Sequence, residues 1–359
     1  KKIVITSNTS WSLWNFRLGL MRALKEKGYK VISVAPKDKY SEYISKEFEY
    51  FELKNLDRKG KNPYKDVKLT LEYLNLYKKI KPDLVLNYTI KPNIYSSIAC
   101  GFLKIPCVSV ITGLGYVYVK EGILKKITDS LYKIAFKFNK KIVFQNQSDK
   151  DFFIENNIVS KNKAVVIYGS GVDTEKFSPD FCVENRKDNS FTFLMIGRLL
   201  WDKGVKEYVE AGRKLKEEYP QVKLLLLGSF DEGNPSSIPK DLIDKWVKSG
   251  IIEYLGSTDD VRPFICKADC VVLPSYYREG IPRVLLEALS MERPIITTDT
   301  VGCRDVCVHG VNGFLVESKS IESLYKAMKE MLSLSIEERI KMGKLGREMV
   351  LKEFSENIV

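Results

Sequence analysis

The sequence predicts an α/β protein built from two doubly wound domains in tandem, and three observations carry that expectation. The chain has 359 residues, more than one hydrophobic core comfortably serves. Short apolar runs alternate with longer amphipathic ones, the pattern of a parallel sheet covered by helices on both faces. The alternation stops once, at a polar stretch, and then restarts.

In the first half, KIVITS (2–7), YKVISVA (29–35), DLVLNY (83–88), PCVSVI (106–111) and KIVFQN (141–146) read as buried strands. RLGLMRALKEKG (17–28), VKLTLEYLNLYKKI (67–80) and IYSSIACGFL (94–103) carry helical spacing between them. SPDFCVENRKDNS (178–190) combines Pro, Asn and dense charge and is expected as the interdomain linker. Strands then resume with FTFLMIG (191–197), VKLLLLG (222–228), IIEYLG (251–256), DCVVLP (269–274) and RPIITTD (293–299), with helices at 203–218, 239–249, 282–291 and 320–332. The expected division is 1–180, 191–335, and a basic helical segment, 336–359, returning toward the first domain. Ligands of such folds bind at the carboxyl ends of the strands, in the cleft the two domains face.

Against 46 Asp and Glu stand 58 Lys and Arg, a net charge of +12. That excess favours anionic partners: nucleotide phosphates, nucleic acid or an acidic membrane surface. The cations are spread through all the helices and no aromatic–basic module accompanies them, so no nucleic acid is expected. Seven cysteines, odd in number and scattered, point to a reducing compartment rather than a disulfide framework. Cys266 with Cys270, Cys303 with Cys307, and the only histidine, His309, are conceivable zinc ligands, but Cys270 opens the apolar run CVVLP and reads as buried strand. No secretory signal opens the chain, and the longest apolar stretch, 94–116, is broken by Lys104 and Pro106. A cytoplasmic location is expected, including peripheral attachment to the cytoplasmic face of a membrane.

GRLLWDKG (197–204) follows the first strand of the second half. Gly197 would let the backbone turn at the strand end. Arg198 at that edge and Lys203 at the start of the next helix form an anion site, because free N–H groups and the helix dipole favour negative charge. A planar fork beside a mobile point charge suits a diphosphate; two surface cations flanking a turn are the plain alternative. EGIPRVLLE (279–287) places Glu279 and Gly280 in a loop, Pro282 at the first turn of a helix, and Glu287 within its second turn.

GR…KG, YLG (254–256), DCVVLPS and E-x7-E together resemble the retaining nucleotide-sugar glycosyltransferases of family 4, whose fold is GT-B. VLPSYYREGIPRVLLEALSMERPIITTD and VHGVNGFLV are similar to the donor-binding half of that family, and the likeness covers nearly the whole chain. The resemblance implies that Arg198 and Lys203 hold the donor diphosphate and that Glu287 receives the ribose hydroxyls. It places Glu279 beside the donor sugar, with the backbone of Gly280, Ile281 and Pro282 near sugar and β-phosphate. Leu255 and Gly256 fall where the base is received. A UDP-sugar is then the co-substrate, with no metal or other cofactor.

For the acceptor side, TSNTSWSLWNFR (6–17) reads as a polar loop entering a helix, and ITGLGYVY (111–118) as a glycine-bearing loop after a strand. Asn15, Arg17, Lys91, Thr112, Gly113, Leu114 and Gly115 are the acceptor candidates. Relatives often place a histidine near this glycine loop; here there is none. Asp149-Lys150-Asp151 matches a metal-binding D-x-D, but Ser148 with Asp151 makes a helix-start box and is preferred. In 123–141, Ile123, Ile127, Leu131, Ile134 and Phe138 share one helical face with Lys125, Lys126, Lys133 and Lys137 mostly off it. Such a helix either packs on its sheet or rests on an anionic membrane.

The resemblance implies retaining transfer of a sugar, N-acetylgalactosamine being the expected one, from a UDP-sugar to an undecaprenyl-diphosphate-linked saccharide, as in bacterial protein N-glycan assembly. O-antigen and capsule transferases with other donors share these segments. A GT-B epimerase and a non-catalytic basic lipid- or nucleic-acid-binding protein are the rival readings.

Overall fold

The structure, a computed structural model, describes all residues except 58, 59, 61, 115–117, 119–121 and 183–189. The chain divides into two compact units, Lys1–Ser170 and Gly171–Val359.

In chain order the first unit comprises Lys2–Thr6 (β1), Ser10–Glu26 (α1), Lys30–Ala35 (β2), Lys39–Glu47 (α2), Glu49–Glu52 (β3), Pro63–Ile80 (α3), Leu84–Tyr88 (β4), Ser97–Leu103 (α4), Cys107–Ile111 (β5), Ile123–Phe136 (α5), Lys141–Phe144 (β6), Gln147–Glu155 (α6) and Ala164–Val166 (β7). The strands form one parallel sheet in the order β3-β2-β1-β4-β5-β6-β7. Its order reverses between β1 and β4, where Ile3 pairs with Leu84. Two apolar layers cover the sheet: Leu13, Met21 and Ile44 lie in the layer that packs on Ile3 and Ile5, and Leu69, Tyr73 and Tyr77 in the one that packs on Val4 and Val85.

The second unit comprises Thr192–Ile196 (β8), Val205–Glu218 (α7), Lys223–Leu227 (β9), Lys240–Lys248 (α8), Glu253–Tyr254 (β10), Arg262–Lys267 (α9), Cys270–Leu273 (β11), Arg283–Ser290 (α10), Ile295–Thr298 (β12), Gly313–Val316 (β13), Ile321–Ser333 (α11) and Ile336–Met349 (α12). Its parallel sheet runs β10-β9-β8-β11-β12-β13, with the reversal between β8 and β11. Segment 171–182 belongs to this unit because Val172 and Phe177 are buried in its core and Ser290 Oγ donates to the Phe177 carbonyl at 2.6 Å. Residues 183–189 of the expected linker lie outside the described residues. Helix α12 packs on α10, where a Cβ at Gly343 would stand 2.2 Å from the Glu292 carbonyl.

The structure revises four local expectations. Helix α1 starts at Ser10, capped by Thr9, whose hydroxyl accepts from the Ser12 amide at 3.1 Å; most of the supposed polar loop is therefore helical. The cap of α6 is Asn146, accepting from the Asp149 amide at 2.7 Å, two residues before the Ser148 box. Cys182 and Cys266 form a disulfide with Cα atoms 5.2 Å apart. The Pro179–Phe181 turn lies against α9, with the Arg262 guanidinium 4.3 Å from the Phe181 ring, and carries Cys182 to Cys266. Finally, the inward face of α5 is Thr128, Tyr132, Ala135 and Phe136, so Ile123, Ile127 and Ile134 point outward, while Phe138, past the helix end, lays its ring against Gly101 of α4.

Candidate functional site

The second unit brings its candidates together at the carboxyl edge of the sheet, where the strand order reverses. Ligands bind at that place in open α/β sheets, because the diverging loops leave a crevice. Arg198 follows β8, Asp231 follows β9, Leu255 and Gly256 follow β10, and Ser275–Glu279 follow β11. Lys203 ends a 3-10 turn, Trp201–Lys203, and Gly204 then enters α7 at φ +79°. A Cβ there would stand 2.1 Å from the Pro274 carbonyl, so only glycine lets this turn sit against the end of β11.

That closeness puts Lys203 beside Glu279. Their side chains are ion-paired and each is 13% exposed. The Ser275 hydroxyl donates to the same Glu279 oxygen at 3.0 Å. The amides of Tyr276 and Tyr277 both reach the Asp202 carbonyl at 3.0 Å, which ties the β11 loop to the Lys203 turn. Loop 279–280 is backed by Gly302, at φ +83°, where a Cβ would stand 2.0 Å from the Gly280 carbonyl.

Arg198 Nη1 donates to Asp231 Oδ2 at 2.6 Å, the arginine side chain being 35% exposed and the aspartate 9%. Asp231 was not singled out in the sequence; it opens DEGNPSS, a segment whose folding onto the Arg198–Lys203 turn is invisible in its composition. Ser275 was missed too, for want of any motif that marks it. The backbone turn expected at Gly197 leaves room for a side chain there, since a Cβ would meet nothing within 4 Å; the crowded glycine is Gly228, where a Cβ would stand 1.7 Å from the Gly197 carbonyl. The Gly228 amide in turn donates to the Gly256 carbonyl at 2.7 Å, and Leu255 donates to Leu226 at 2.9 Å, which fixes the loop after β10.

Helix α10 begins after Pro282 with no side chain capping its first turn. Gly280, Ile281 and Pro282 are buried, so their backbone is what they offer a ligand. Glu287 accepts from Arg283 Nε at 3.1 Å one turn earlier. Burial pushes the Glu287 carboxyl above its ordinary range, against the opposing charge of Arg283. At the start of α7, burial likewise raises half-buried Glu207, and its Oε2 has no hydrogen-bond partner among the described residues.

In the first unit the reversal between β1 and β4 gathers a smaller set. Arg17 lies in the second turn of α1, buried, with its guanidinium 4.1 Å from the centre of the Tyr88 ring at the end of β4. Asn15, on the same helix, donates to the Trp11 carbonyl at 3.0 Å. Thr89 follows at φ +71°, a left-handed conformation that a β-branched residue adopts only when its surroundings enforce it. Lys91 is not a bare cation: it donates to Asp66 at 2.7 Å, and the Tyr95 hydroxyl takes the other carboxylate oxygen at 2.9 Å. After β5, Thr112 is half-buried and Gly113 has φ +114°, while the Leu114 side chain is 2% exposed in the core, leaving its backbone for a ligand. Gly115 lies outside the described residues. His309 is a turn residue whose Nδ1 accepts from the Leu315 amide at 3.1 Å. Among the described residues no group of three His, Cys, Asp or Glu is placed to hold a metal ion.

Two family models match the chain, "Glycosyl transferase 4-like" over residues 2–146 and "Glycosyl transferases group 1" over residues 178–349. The chain belongs to the family 4 glycosyltransferases. This glycosyltransferase is 28% identical over 375 residues to the N,N'-diacetylbacillosaminyl-diphospho-undecaprenol alpha-1,3-N-acetylgalactosaminyltransferase of Campylobacter jejuni, covering 100% of this chain and 96% of that one. It is 29% identical over 274 residues to the UDP-Gal:alpha-D-GlcNAc-diphosphoundecaprenol alpha-1,3-galactosyltransferase of Escherichia coli, covering 74% and 70%. Among solved structures, Anabaena HepE in complex with UDP and glucose matches with a TM-score of 0.80 at 18% identity over 99% of this chain and 96% of that one. That likeness confirms the GT-B fold with its two Rossmann-like domains.

Proposed function

We propose that this glycosyltransferase moves a sugar, N-acetylgalactosamine in our reading, from a UDP-sugar to a hydroxyl of an undecaprenyl-diphosphate-linked saccharide, with retention at the anomeric carbon. The observation that carries the reading is the convergence of Arg198, Lys203, Glu279 and the uncapped start of α10 at the reversal of the second sheet. Two cations and a helix N-terminus stabilise negative charge, which in this reaction develops on the departing diphosphate. The bond between the anomeric carbon and the β-phosphate oxygen loosens first. The acceptor hydroxyl then bonds to that carbon from the same face, and its proton passes to a phosphate oxygen. Glu279 orients the sugar, Glu287 the ribose, and the loop of Leu255 and Gly256 receives the base. The scheme invokes no metal: Arg198, Lys203 and the start of α10 supply the hydrogen-bond donors that hold the departing diphosphate. The specificities for which the Campylobacter and Escherichia relatives are named support the acceptor class.

Peripheral membrane contact belongs to the same proposal. Ile123 and Ile127 on α5 are 78% and 51% exposed, and Lys126, Lys133 and Lys137 flank that outward face. An apolar stripe bordered along one side by lysines suits the headgroup boundary of an anionic bilayer. Among the described residues no helix is long and apolar enough to cross a membrane.

The test is a panel of UDP-sugars measured for UDP release with and without a detergent-solubilised polyprenyl-diphosphate sugar. Acceptor-dependent release, lost in Arg198→Ala and in Lys203→Ala, is the expected result. Near-normal rates in both variants refute the diphosphate assignment.

A further inference from the structure

Both cations of the diphosphate cradle are already paired. Lys203 is matched by Glu279 and Arg198 by Asp231, so these four side chains sum to zero charge before any ligand arrives. Glu279 has a place in the proposed reaction; Asp231 has none.

Asp231 is also held in place. Its Oδ2 accepts from Arg198 Nη1 at 2.6 Å and from Asn234 Nδ2 at 2.9 Å, while the Asn234 amide donates to the Asp231 carbonyl at 3.0 Å. The loop behind it is pinned to the Lys203 turn: the Trp201 amide donates to the Ser236 carbonyl at 2.8 Å and the Ser236 hydroxyl accepts from the Asp202 amide at 3.3 Å. A carboxylate fixed this way stays beside Arg198 when a ligand enters. Arginine has five N–H donors, and the one that Asp231 takes leaves a fork still able to grip phosphate with its positive charge partly cancelled.

We propose that Asp231 is a positioning residue that acts through Arg198 as a permanent counter-ion, weakening the hold on a nucleoside diphosphate so that the spent nucleotide leaves. The inference rests on the donor site described above. Removing the carboxylate charge while keeping the hydrogen bond raises the charge of the cradle by one. The gain is felt by the diphosphate and not by the nucleoside, which separates an electrostatic role from a structural one.

The experiment is calorimetric titration of the wild type and Asp231→Asn with UDP and with uridine, at low and high salt, alongside stopped-flow dissociation of UDP. The variant is expected to bind UDP about tenfold tighter at low salt, as one fewer opposing charge near a diphosphate dictates, to release it correspondingly slowly, and to leave uridine binding unchanged. The wild type is expected to show a shallow salt dependence for UDP, and the variant a steeper one. Equal or weaker UDP binding by a folded Asp231→Asn, or a gain shared with uridine, overturns the inference. Should the variant not fold, the wild-type salt dependence decides alone: a steep slope means an uncompensated cradle and overturns it. Failure of the wild type to bind UDP at all instead overturns the donor reading.

Discussion

Gly302→Ala tests how closely the Glu279 loop is supported from behind. The glycine sits at φ +83°, where alanine costs roughly 1–2 kcal/mol. The added methyl would also lie 2.0 Å from the Gly280 carbonyl and 2.9 Å from the Glu279 carbonyl. Restoring an ordinary contact requires the loop to retreat by more than about 1 Å. A displacement of that size at reacting groups costs on the order of a hundredfold in rate, whereas the backbone strain lowers the melting temperature by only about 2–8 °C in a unit of this size. The assay pairs differential scanning calorimetry with acceptor-dependent UDP release. The expected outcome is a modestly destabilised protein with a rate about two orders of magnitude down. Gly197→Ala, whose methyl would touch nothing within 4 Å, is the control and should melt like the wild type. Wild-type turnover by a folded Gly302→Ala refutes the claim that this contact places Glu279.

Three further outcomes are expected. Burial raises the Glu287 carboxyl above its ordinary 4.5, so the folded protein holds that proton more tightly than the unfolded chain, and ionisation costs stability as pH rises past that value. Glu287→Gln should therefore melt at or above the wild type near neutral pH, with the difference gone in acid, while binding UDP more weakly; a variant less stable at neutral pH refutes the burial argument. Thiol labelling of the unfolded, unreduced protein should mark five cysteines, and seven after reduction. Closing a loop of 84 residues is worth roughly 4–5 kcal/mol in the chain-entropy account, so reduction should also lower the melting temperature. Ile127→Glu combined with Ile134→Glu should reduce sedimentation with anionic vesicles without altering the melt, since both side chains point outward; unchanged sedimentation removes α5 from the membrane reading.

Much of the fold was legible because strands buried on both faces must be continuous apolar runs, as KVISVA and FTFLMI are. The edges were harder. EYFE at β3 and AVV at β7 are short and partly exposed, so neither length nor patterning marks them. In α5, spacing revealed an apolar stripe but not its direction, because the inward face is filled by Tyr132, Phe136 and small residues. At the site, Arg198, Lys203, Glu279 and Glu287 stood out through their spacing. Asp231 and Ser275 did not, since an aspartate in a polar loop and a serine after a strand are unremarkable until the sheet sets them beside Arg198 and Glu279.

The reversal of strand order in the second sheet also governs when the site can exist. β9 and β10 are laid down on one side of β8, and only then does β11 arrive on the other. A nascent chain leaving the ribosome therefore carries Arg198 and Lys203 well before Glu279 has been made, and Gly302 comes later still. In the proposed reading, the donor site is complete only in a chain synthesised past Gly302.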